Sequence, residues 1–270
     1  MAYQHDGSPN HRPSGEERRI ERLSMASIDG APVAYLVSLA AVVAVLALIP
    51  IPITFVLGSG RNFPMSQSFY PLAGWLLGPV AGGLADAIGA LIGVFIAPHT
   101  TTYAPATVLG AALGGLAAGT MAASGRRRLW WIPLLIAFIG FYLWYGGRAV
   151  VVNGVPWTSV ALGSFINWSS LLLYALPTRT LFARLLRDEN LTRVGVGLFG
   201  GTWMIAGLVH LATGAVVYTI LNYPNEVWLA IAPVAPVEHA FRCIVGTTIG
   251  VGVISGLRAT GIVKPLHAAY

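Results

Sequence analysis

Apolar stretches recur along almost the whole chain, broken at Gly, Pro or charged residues. They run at about 31–58, 65–78, 79–97, 103–124, 130–147, 157–178, 195–221 and 229–257. A helix of about 20 apolar residues is what crossing a hydrocarbon layer about 30 Å thick requires. All but the second stretch meet or approach that length. Only 10% of the residues are charged and 56% are hydrophobic, and mean hydropathy is +0.71. A soluble domain carries roughly 25% charged residues, so this chain has too few to coat a water-facing surface. The expected fold class is an all-α integral membrane protein, a polytopic helical bundle of about eight segments.

Composition also removes several function classes. Basic residues in a membrane chain set topology rather than bind nucleic acid, so no nucleic-acid partner is expected. The one cysteine, Cys243, excludes an internal disulfide and a multi-cysteine metal site. No Walker loop, dinucleotide fingerprint or His-Glu-x-x-His helix occurs. The chain is therefore not expected to be an enzyme that hydrolyses a nucleotide, and no cofactor or metal is expected. His99, His210 and His239 fall on three different segments and read as ordinary histidines rather than as ligands.

The stretch "YPLAGWLLGPVAGGLADAIGALIG", residues 70–93, holds the decision about segment count. Gly78 and Pro79 cut it after few residues. A Pro in the first turn of a helix loses no hydrogen bond, and a Gly before it permits a sharp reversal. If 65–78 crosses, Arg126, Arg127 and Arg128 join Arg12, Arg18, Arg19 and Arg22 on one side. Arg179, Arg184, Arg187, Arg193, Arg258 and Lys264 fall there too, making 13 of the 16 Lys and Arg. The positive-inside rule then makes both ends cytoplasmic. Residues 1–28 read as a disordered or amphipathic cytoplasmic tail, with "GEERRIERL" as a short surface helix. Residues 29–260 are the transmembrane helical domain and 261–270 a second cytoplasmic tail. The expected location is the cell membrane, multi-pass. "RTLFARLLRDENLTR", residues 179–193, reads as an interfacial amphipathic helix. Gly74, Gly78, Gly82, Gly83, Gly89 and Gly93 read as a packing seam.

Ionisable residues at membrane depth are costly and face a partner or a cavity. They are Asp86, His210, Glu238, His239 and Arg242. Glu238 and Arg242, four apart, share a helix face. At a rise of about 1.5 Å per residue, Asp86 and Arg242 both lie about 10 Å from the inner boundary. An Asp86–Arg242–Glu238 cluster is expected. It is either a structural ion triad or a polar floor beneath a substrate cavity. Outer loops add Asn62, Phe63, Gln67, His99, Tyr103 and Asn167 as candidate substrate contacts. Aromatic walls with a few polar groups suit a small molecule. Trp130, Trp131, Trp157 and Trp228 fit the interfacial belt that any membrane protein carries.

"SQSFYPLAGWLLGPVAGGLADAIGALIG" resembles the second and third helices of the substrate-binding S components of energy-coupling factor (ECF) vitamin transporters. Gly74, Gly78, Pro79 and Gly82 carry that likeness. "YAPATVLGAALGGLAAG", residues 103–119, resembles the family's fourth helix, and "PVEHAFRCIVGTTIGVGVISGL", 236–257, its last. The resemblance implies a capture subunit for a vitamin or similar micronutrient. It implies partners too: a coupling subunit and an ATPase pair that hydrolyses ATP, met through small residues such as Ala40 and Ala44. S components have six membrane helices, so this chain reads as that core with extra helices. The alternatives are a stand-alone permease with an Asp86–Glu238–His239 relay, a membrane enzyme or a scaffold.

Overall fold

A computed structural model of the chain describes residues 26–51, 63–101 and 103–270. The expectations for the N-terminal tail up to residue 25, and for Arg61 and Asn62, lie outside the described residues. A two-stranded hairpin, β1 (Ser27–Ile28) and β2 (Ala31–Pro32), leads into α1 (Val33–Leu46). Then follow α2 (Tyr70–Leu77), α3 (Pro79–Ile96), α4 (Ala104–Ala122) and α5 (Trp131–Val151). The chain continues through α6 (Trp157–Gly163), α7 (Phe165–Ala175), α8 (Thr178–Leu185), α9 (Leu191–Leu221) and α10 (Asn225–Thr260). Among the described residues, five helical stretches are long and apolar enough to cross a membrane: α3, α4, Gly125–Val151 containing α5, α9 and α10. The α1 and α7 helices are apolar but shorter.

The turn at Gly78 is as expected from the Gly-Pro pair. Gly78 takes φ +90° and ψ 180°, a backbone region open in practice to glycine alone. Pro79 then opens α3. The short α2 is explained by its surroundings, because all eight of its residues are buried. It packs on α3 and α4 and also meets α1 and α9. Met65–Ser68 forms a 3₁₀ turn ahead of it, and Met65 N donates to Ile49 O at 2.8 Å.

Glycines form the seams. A methyl group on Gly82 would stand 2.5 Å from Gly74 Cα, and one on Gly83 would stand 2.9 Å from Ala112 O. On Gly89 it would meet Val43 Cβ at 2.5 Å, and on Gly93 Ala47 Cβ at 2.7 Å. Backbones this close are the usual basis of helix association in lipid. The opposite face of α3 exposes Leu84, Ile88, Leu91, Ile92 and Phe95. Small residues inward and large apolar ones outward is the pattern for a helix between protein and lipid.

The expected span 157–178 is two helices. Gly163, the last residue of α6, packs against α10, where a methyl group would stand 2.6 Å from Trp228 O. Ser164 interrupts the helix, its Oγ hydrogen-bonded to Val160 O and 3.0 Å from Tyr142 Oη. Of the stretch 179–193 expected as one interfacial helix, α8 takes only the first part, and α9 starts earlier than read from hydropathy. Its N-cap is Asn190, whose Oδ1 accepts from Thr192 N at 2.9 Å.

Long-range contacts gather Arg127, Arg187 and Arg258 at one end. Arg127 pairs with Asp29. Arg187 Nη2 donates to Ala122 O at 3.0 Å, and Arg258 donates to Asp188 O and Leu186 O at 2.8 and 2.9 Å. The C-terminal segment closes on the same end: Ala269 N donates to Trp75 O at 2.7 Å, and His267 lies over the Gly78 turn. At the other end, Thr100 Oγ1 donates to Ala47 O at 3.3 Å, and Arg148 Nε to Asn222 Oδ1 at 3.2 Å.

Candidate functional site

Charged and aromatic side chains converge where α5, α7, α9 and α10 meet the segment 63–70. Arg242, on α10, is almost wholly buried, and its Nη2 donates to Glu238 Oε1 one turn earlier. Its guanidinium lies over the Phe63 ring, 4.8 Å from the centroid. A desolvated cation over an aromatic face contributes about 2 kcal/mol. Phe63 also meets the His210 ring edge-on at 6.3 Å. His210 Nδ1 is 2.9 Å from Asn167 Oδ1, and its Nε2 is 3.2 Å from Tyr218 Oη. Asn167 Nδ2 donates to Tyr145 Oη. Tyr145 stacks nearly parallel on Trp228 at 6.0 Å and meets Tyr218 edge-on at 5.2 Å.

The result is a cage in which aromatic faces surround a chain of amide, imidazole, phenol and guanidinium groups. Two buried donors or acceptors on this part of α10 have no hydrogen-bond partner among the described residues: Arg242 Nε and His239 Nδ1. An unmade hydrogen bond on a buried polar atom costs about 1–3 kcal/mol. A ligand group that satisfied one would recover that cost on binding. His239 Nε2 is held at 2.8 Å from Trp203 O, and its ring stands edge-on to Trp203.

Of the expected site residues, Phe63, Asn167, Glu238 and Arg242 are brought together. Gln67 is buried in the 3₁₀ turn that packs on α1, α9 and α10. Asn62 lies outside the described residues. His99 and Tyr103 are exposed around the α3–α4 connection, and among the described residues neither hydrogen-bonds to the cage. The expected triad is a pair plus a separate carboxylate. Asp86 is fully buried, and neither of its oxygens has a hydrogen-bond partner among the described residues. It is turned into the α3–α4 seam, its Oδ2 against Gly115. Tyr70, 3.2 Å from Ser66 Oγ, lies within electrostatic reach of both Asp86 and Arg242.

Two further expectations are corrected. Trp228 is not a belt residue: it is 2% exposed and forms a wall of the cage. Its Nε1 donates to Tyr223 O at 3.2 Å. Ala40 and Ala44 do not present an open face to a partner. They are buried, and Ala40 O would stand 2.6 Å from a methyl group on Gly89, so they belong to the α1–α3 seam. Sequence reasoning placed His210 within a span but did not link it to Asn167, and it missed Tyr145 and Tyr218. Phenol and imidazole groups inside apolar runs were the available signal.

The family model of the ECF-type riboflavin transporter, S component, matches residues 31–181, more than half of the chain. This chain belongs to the ECF S-component family. No curated protein and no solved structure matches it. The match covers α1 to α7 and reaches into α8, so it includes Phe63, Tyr145 and Asn167 of the cage. As an S component, the chain is a multi-pass membrane protein of a transporter family, not of an enzyme class. S components capture small-molecule substrates, which a cage of aromatic and polar groups suits.

Proposed function

We propose that this S component captures a planar heteroaromatic micronutrient of the flavin class, which the name of the matched family suggests. The observation that carries the reading is Arg242. Its guanidinium faces the Phe63 ring, which also meets His210, and its Nε has no hydrogen-bond partner among the described residues. Stacking on Phe63, Tyr145 or Trp228 would take the flat face of such a solute. Asn167, His210 and Arg242 would take its carbonyl and ring-nitrogen edge, with Gln67 beside them. ATP would be hydrolysed by a separate ATPase pair, joined through a coupling subunit. Eight crossings with both ends cytoplasmic fit the gathering of basic residues at one end. The permease alternative gains no support from geometry. Among the described residues, no hydrogen bond joins Asp86 to Glu238 or His239.

The test is to purify the full chain, identify co-purified small molecules by mass spectrometry, and titrate it with riboflavin. The expected result is a bound heteroaromatic compound and quenching of flavin fluorescence with Kd below about 1 μM. Absence of any co-purified heteroaromatic compound, with no quenching at millimolar riboflavin, refutes the flavin reading.

A further inference from the structure

A cavity of about 470 Å³ opens at the basic end of the molecule, and none of the cage residues lines it. Its lining includes Ser124, Arg128, Trp131, Arg179, Arg184 and Arg187, and no acidic residue. Two of the four arginines are fixed in place. Arg179 lies flat on Trp131, 3.5 Å from the ring centroid, and its Nη1 donates to the C-terminal carbonyls of α7, Ala175 O and Leu176 O, both at 2.9 Å. Arg187 reaches across to the last turn of α4 at Ala122 O. Each guanidinium has five N–H donors, so both keep donors for another partner. The guanidinium groups of Arg128 and Arg184 have no ion pair or hydrogen bond among the described residues.

Two of the acids described at this end are engaged elsewhere. Asp29 pairs with Arg127, and Asp188 pairs with Arg193 at 3.1 Å. Burial, with Arg128 as a like charge nearby, lowers the Arg179 guanidinium from its ordinary value. Four cations line one hollow with no acidic side chain in its described lining, a self-repelling arrangement that an anion would relieve.

We infer that this cavity binds a phosphate group, with the headgroup of an anionic phospholipid as its source. Arginine suits the ligand because its planar fork matches phosphate oxygens in pairs. Position favours a lipid. The cavity sits at the first turn of α5, where Leu129 and Trp130 just before the helix and Ile132 and Ile136 on it are exposed. That apolar track would lie along acyl chains while the headgroup enters the hollow. Basic pockets between helices at the cytoplasmic side are a recurring form of anionic-lipid site.

The full chain in detergent, studied by native mass spectrometry, tests this with phosphatidylglycerol and phosphatidylcholine as probes. Wild type is expected to retain phosphatidylglycerol under activation that strips phosphatidylcholine. R128Q/R184Q is expected to lose that retention about thirtyfold, from two cationic contacts, while leaving riboflavin binding unchanged. R184E, a single exposed change, provides the same reading should the double variant fold poorly. A parallel arm adds millimolar inorganic phosphate and follows thermal unfolding. Phosphate that stabilises wild type but not R128Q/R184Q, and displaces the lipid, supports the phosphate site with a soluble source. Equal retention of the two lipids, or retention unchanged in both variants, with no response to phosphate, overturns the proposal.

Discussion

Replacing Arg242 by Met separates what the buried ion pair does for folding from what it does for a ligand. Arg242 and Glu238 are 1% and 7% exposed. Removing the cation leaves a carboxylate buried without a counter-charge, a loss of about 3–5 kcal/mol. The contact with Phe63 is part of that loss rather than an addition to it. Against a total stability of roughly 5–15 kcal/mol, R242M should unfold markedly earlier in a thermal scan in detergent. E238Q/R242M removes the stranded charge as well and should recover most of the stability. Binding should not recover with it. An arginine hydrogen bond to a ligand contributes about 1.5–3 kcal/mol, so riboflavin affinity should fall roughly 10–150-fold in both variants. Fluorescence quenching by the folded double variant gives the answer. If that variant binds as wild type does, Arg242 holds helix register and nothing more. If R242M alone is as stable as wild type, the burial argument is wrong.

Gly78→Ala should cost about 1–3 kcal/mol for the forbidden backbone region. It should also push the C-terminal segment away, since its methyl would stand 2.6 Å from His267 Cβ. Faster hydrogen exchange at 265–270 checks this, with Gly125→Ala, φ +61° in open space, as the control that leaves the segment docked. The same segment should respond to pH. Burial first, and then the Arg127 charge, hold the His267 imidazole below its ordinary value. The undocked chain therefore binds more protons, so docking is intact above the free value of about 6.5 and weakens as pH falls toward the folded one. Exchange at 265–270, corrected for its intrinsic pH dependence, should rise on acidification in wild type and stay flat in His267→Gln.

Much of the fold was legible because its signals are one-dimensional. Apolar run length located the helices, and Gly78–Pro79 located the reversal. Spacing alone joined Glu238 to Arg242, since residues four apart stack on one face whatever surrounds them. What failed needed rotation about a helix axis. Asp86 and Arg242 read as level by counting residues along the chain, but α3 turns Asp86 toward Gly115. An Ala-x-x-x-Ala pair marks a surface that permits close approach without saying what approaches; here Gly89 does. Trp228 at a span end reads as a belt residue until Tyr145, from another helix, is laid on it. The Ser164 interruption was invisible because hydropathy continues through it unchanged.

The burial of α2 on every side has a consequence for how the protein meets membranes of different thickness. A helix that no acyl chain touches is exempt from hydrophobic mismatch, and its length is free to follow the interior it fills. Thinning or thickening the bilayer would act on outward faces such as that of α3. The central strut, with the reversal at its foot, would stay as it is while its neighbours tilt around it.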